Sequence, residues 1–239
     1  MKRLFVGHLM CGFAGMAVAA AIMAAPLTAA AGETASIMRG GQIYDKWYKV
    51  VGSKAPKKSH PLYPAGKKYA KKPKTNWRCK ECHGWDYRGK DGAYGKGKHA
   101  TGIKGVAGVA GGDPAKVVAL LKGDHGYGDK LNDTDLQDVA LFLTKGQVDM
   151  TKYIDGKKAK GDASKGESYY ATICANCHGA DGLKPKSMPP LGKLASKNPW
   201  EVLHKILYGQ PGEKMPALSS LDRQVPVDIL AYLATLPKK

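Results

Sequence analysis

The pentapeptide Cys-x-x-Cys-His occurs twice, as Cys79-Lys80-Glu81-Cys82-His83 and as Cys174-Ala175-Asn176-Cys177-His178. In such a motif the two thiols can form thioethers to the vinyl groups of a haem while the adjacent imidazole takes the iron, so the pattern implies two covalently attached haems c. A bare Cys-x-x-Cys would also suit a thioredoxin-like redox pair or half of a zinc site. Neither alternative gives a role to the following histidine, which is present both times.

The fifth cysteine, Cys11, lies in an N-terminal stretch that opens with Lys2 and Arg3, runs on as apolar sequence from Leu4 and reaches Ala29-Ala30-Ala31. That layout reads as a secretory signal peptide over residues 1–31, and the alternative is an uncleaved anchor, because the stretch is long enough to span a bilayer. Either way the remaining chain is expected in the periplasm or an equivalent extracytoplasmic space. With Cys11 removed, every cysteine belongs to a motif, which leaves no thiol for a disulfide or for nucleophilic catalysis.

The formal net charge is +18, and the charge is concentrated: Lys46 to Lys104 hold seventeen Lys or Arg against Glu81, Asp86 and Asp91. A patch of this kind can attract nucleic acid, anionic lipid or an acidic protein, or can serve only as a solvated face. An exported location argues against nucleic acid. An acidic redox protein is the expected partner, because charge complementarity speeds encounter; membrane contact is expected only through partners or an uncleaved anchor.

The segments around the motifs repeat. Gly166 to Tyr170 leads into Cys174 with a glycine-then-aromatic signature, and Gly40-Gly41 to Trp47 carries the same signature before Cys79. Taking Gly41 as the counterpart of Gly166 leaves an insertion of about thirty residues in the first copy. This is the Lys- and Pro-rich stretch 49–75, with Pro56, Pro61, Pro64 and Pro73, expected to lie extended on the surface. After each motif comes a helix begun by proline and ended by glycine, Pro114 to Gly123 and Pro199 to Gly209, and then a closing apolar helix, Leu136 to Leu143 and Val227 to Leu236. The expected organisation is all-α: domain 1 over 32–146, a polar linker over 147–160 and domain 2 over 161–239. Each is a few short helices burying one haem.

On these residues the chain resembles the class I cytochromes c, and its doubling resembles dihaem cytochromes c of the cytochrome c4 kind. The resemblance implies crossed terminal helices, His83 and His178 as proximal ligands, and a distal ligand from the loop before each last helix. In the second copy that place is held by Met215, with Met188 the rival; the resemblance also implies that a carbonyl near Pro190 accepts the proximal N–H. In the first copy no methionine occurs between His83 and Met150. Pairing Val139 with Ile229 puts His125 where Met215 stands, fourteen residues earlier in each case. His125 is therefore the expected distal ligand of haem 1, with His99 or an open site as alternatives. His60 and His204 are read as packing or surface residues.

A His/Met haem has a higher potential than a bis-His haem, so electrons are expected to run from the first domain to the second, as in a carrier rather than an enzyme. The alternatives are a cytochrome subunit of a larger dehydrogenase, or a dihaem oxidoreductase acting on a sulfur or nitrogen oxyanion or a peroxide. Enzymes of the thiosulfate dehydrogenase kind need a cysteine-ligated haem, for which no cysteine is spare. A peroxidase-like enzyme needs an openable iron.

Overall fold

The computed structural model describes residues 18–239, with side chains from Gly32 onward. The expected signal segment with Cys11 lies outside the described side chains. Among the described residues no helix is long and apolar enough to cross a membrane.

The chain is mostly helical, as expected. Helix α1 (Val18–Val50) breaks at Lys46, where φ and ψ are −158° and 72°. Two short helices follow, α2 (Pro73–Asn76) and α3 (Cys79–His83), the latter carrying the first motif. Then come α4 (Pro114–Lys122), with Asp113 capping its start, and α5 (Asp133–Leu141), opened by a reciprocal capping box between Asn132 and Asp135. The second half holds α6 (Ala163–Ile173), α7 (Ala175–His178), α8 (Leu191–Lys197), α9 (Pro199–Tyr208) and α10 (Gln224–Leu233). Both α4 and α9 begin on the predicted proline.

Two helix crossings organise the molecule, α1 over α5 and α6 over α10. Each is made possible by one glycine. A Cβ on Gly40 would lie 2.1 Å from the carbonyl oxygen of Asp138, and a Cβ on Gly166 would lie 2.0 Å from that of Asp228. Only a residue without a side chain lets the backbones come so close. Gly40, not Gly41, is therefore the counterpart of Gly166. Gly41 is spent elsewhere, against the ring of Tyr208 on α9. The contact partners Asp138 and Asp228 each precede the residues paired from sequence, Val139 and Ile229, so the register of the closing helices stands.

Two segments are more structured than expected. The insertion is pinned from inside rather than laid on the surface: Asn76 Nδ2 donates to the Tyr69 and Ala70 carbonyls, Trp77 Nε1 donates to Lys58 O at 2.8 Å, and His60 and Tyr63 are buried. Two polar side chains just past its end satisfy its turns, which its proline content alone does not reveal. The segment 147–160 buries Val148, Met150 and Ile154, and a small antiparallel hairpin joins β1 (Ile154–Asp155) to β2 (Lys158–Ala159).

The halves meet at a buried polar seam. His204 on α9 is fully buried, with Nε2 donating to Gly41 O at 2.9 Å and Nδ1 accepting from the Tyr87 hydroxyl at 2.8 Å. Trp85 and Phe142 pack on the same ring. Burial holds the imidazole neutral, its pKa lowered to about 4.

Candidate haem sites

The first motif is fixed from three directions. Arg78, just ahead of α3, is ion-paired with the buried Asp45 of α1. Trp77 O accepts both from Trp47 Nε1 and from the Tyr127 hydroxyl, each at 3.0 Å. The Tyr44 hydroxyl donates to Gly84 O at 2.6 Å, and Gly84, with φ 80°, takes the left-handed turn that ends the motif helix. The second motif repeats the last device: Tyr170 donates to Gly179 O at 2.5 Å, and Gly179 has φ 79°. These tyrosines stand four residues after the crossing glycines Gly40 and Gly166. One turn of helix thus links each crossing to its motif, a spacing present in the sequence and overlooked there.

His83 is oriented by its backbone surroundings. Its Nδ1 donates to Lys104 O at 2.7 Å, which leaves Nε2 as the lone-pair nitrogen, the state that binds a metal. Across from it lies His125, in the turn after α4, with ring centroids 6.3 Å apart and planes 30° from parallel. Two imidazoles bound to one iron through bonds of about 2 Å would place their centroids about 6 Å apart. The pair therefore fits a haem iron between them. His125 Nδ1 is buried without a hydrogen-bond partner, and burial lowers the pKa of both rings, which keeps them in the metal-binding neutral form.

His99 is placed otherwise. Its ring is stacked between Tyr94 and Tyr69, with centroids 4.6 and 5.1 Å away, and Nδ1 meets the carboxylate of the buried Glu81 at 2.8 Å. His60 packs on Trp77, and His204 lies in the seam. Both are buried rather than on the surface, and His204 is hydrogen-bonded as well as packed.

At the second motif His178 Nδ1 is buried with no partner. The carbonyl expected near Pro190 does not serve it. Pro190 O instead accepts Leu194 N–H at 3.1 Å as the first bond of α8. Met188 and Met215 are both half-buried against the core, Met188 before α8 and Met215 between α9 and α10.

Cys79, Cys82 and Cys174 are unlike activated thiols. Burial pushes Cys79 up to about 11, Cys82 to about 12 and Cys174 to about 11, the opposite of an activated thiolate. Among the described residues no group of three or more His, Cys, Asp or Glu could hold a metal ion.

Residues 161–233 match the family model described as cytochrome C oxidase, cbb3-type, subunit III. They are a cytochrome c domain. This cytochrome c domain spans the crossing of α6 and α10 and the motif Cys174 to His178, and such a domain implies haem c with its iron and electron transfer. No curated protein matches the chain.

Proposed function

We propose that the chain is an exported dihaem cytochrome c that passes electrons between redox partners. In this reading the first half is a second cytochrome c domain, over residues 32–146, joined by 147–160 to the one over 161–239. Cys79 and Cys82 hold haem 1 with His83 and His125 as axial ligands; Cys174 and Cys177 hold haem 2 with His178 and Met215. The observation that carries it is the facing of His83 and His125 at 6.3 Å, supported by the shared frame of crossing glycine, tyrosine and left-handed glycine around both motifs.

Bound haem supplies a one-electron iron couple. The protein supplies orientation and poise. The Lys104 carbonyl fixes the His83 ring, and Trp77 and Tyr127 are buried beside the first motif. An imidazole at the sixth position favours the ferric state and a thioether the ferrous, so electrons move from the first haem to the second. The insertion exposes Lys57, Lys58, Lys67, Lys68, Lys71 and Lys72, a concentration of cations suited to an acidic redox protein.

A second reading, a cytochrome subunit within a larger oxidoreductase, is favoured by the matched family, which is named for a subunit of an oxidase. Mass spectrometry of the exported holoprotein tests the base claim. Two covalently added haems support the dihaem carrier, and one haem confined to the Cys174 motif overturns it. Co-purification without further subunits separates carrier from subunit.

A further inference from the structure

The loop that carries Met215 is not held by its own half of the chain alone. It leaves α9 at Gly209, whose φ of 86° requires glycine, and a Cβ there would lie 2.8 Å both from Gln42 Nε2 and from the Met215 carbonyl oxygen. Gln42 belongs to α1, in the other half, and its Nε2 donates to Tyr208 O at 2.9 Å. Further along, Gly212, with φ 77°, rests on the side chain of Lys49, also from α1; its Cβ position is 3.5 Å from the Lys49 Cβ. The segment from Tyr208 to Met215 is thus laid along α1 and tied to it by one side-chain hydrogen bond. That bond sits at the turn from which the loop departs.

We propose that Gln42 is a positioning residue for the distal ligand of the second haem, so that the first half of the chain sets how firmly the Met215 thioether holds its iron. The proposal rests on the reading of Met215 as that ligand. A thioether carries no charge and is a weak ligand, and it competes with outside ligands only if its loop stays where it is. Losing the Gln42 bond leaves the Tyr208 carbonyl without its side-chain partner and loosens the turn next to the ligand.

The test uses the oxidised, full-length holoprotein. The red charge-transfer absorption of a thioether-ligated ferric haem is followed while imidazole is added to displace the thioether. Gln42→Ala is expected to tighten imidazole binding at haem 2 about fivefold, the loss of one ordinary hydrogen bond, with the bis-imidazole signals of haem 1 unchanged. Gln42→Glu, which keeps the size but has no donor, is expected to do the same. Imidazole affinity equal to wild type in both variants overturns the proposal, as does loosening in Gln42→Ala alone, which a missing side-chain volume would explain. Met215→Leu serves as the parallel control: if the absorption survives in it, the ligand reading itself fails. If it vanishes there while the Gln42 variants behave as wild type, only the positioning role fails.

Discussion

The imidazole rings of His83 and His125 face each other with centroids 6.3 Å apart and planes 30° from parallel, although the residues lie on different elements and forty-two positions apart. The Lys104 carbonyl fixes the His83 ring, and the turn after α4 holds the His125 backbone, whose N–H bonds Leu120 O at 3.2 Å.

Replacing His125 by methionine should raise the potential of haem 1, by on the order of 100 mV, because a thioether favours the ferrous iron that an imidazole disfavours. A potentiometric titration followed optically checks this. The potential of haem 2 should stay within error.

The reverse change at the other site, Met215→His, should lower the potential of haem 2 by on the order of 100 mV and leave haem 1 in place. The same titration reads it. Movement of the Met188→Leu variant instead would assign the ligand to the loop before α8.

Gly166→Ala should destabilise the second crossing, because the new Cβ would lie 2.0 Å from the Asp228 carbonyl oxygen and 2.9 Å from Tyr232 Cβ. Overpacking of this kind costs about 1–3 kcal/mol. Urea unfolding of the holoprotein should show it, and Gly40→Ala should behave alike against Asp138. Gly212→Ala meets nothing closer than 3.5 Å, and its cost should come from the positive φ alone.

His204 gives the fold a pH dependence of known sign. Its folded pKa of about 4 lies below the ordinary 6.5, so the unfolded chain binds the proton more readily. Its contribution is fully present above about pH 6.5 and is lost as the pH falls through 6.5 towards 4, by about 3 kcal/mol. Denaturant melts of wild type and His204→Gln between pH 7 and 4 measure it. Glutamine can still donate to Gly41 O and accept from Tyr87, and the slope in that window should flatten.

The parts legible in the sequence are those carried by short, unbranched rules. The motif pentapeptides, the prolines opening α4 and α9, and the pairing of Val139 with Ile229 rest on local chemistry or on a repeat, and the structure places the elements accordingly. The misjudged parts depend on partners far away in the chain. Which of two adjacent glycines, Gly40 or Gly41, makes the crossing is settled only by what each backbone meets, Asp138 or Tyr208. The insertion looks extended because proline is counted and Asn76, which ties up its carbonyls, is not. His178 Nδ1 has no partner, and the Pro190 carbonyl expected to serve it opens α8. His204 sits among apolar neighbours in the sequence, yet its ring makes two hydrogen bonds across the seam.

Low-temperature electron paramagnetic resonance of the oxidised holoprotein tests the central claim most directly, because it reports the coordination of each iron. Two low-spin ferric signals, with only the one assigned to haem 1 replaced in His125→Ala, are the predicted result. A substantial high-spin signal in the unmodified protein would contradict bis-imidazole ligation by His83 and His125 and would point to an open iron that meets a substrate.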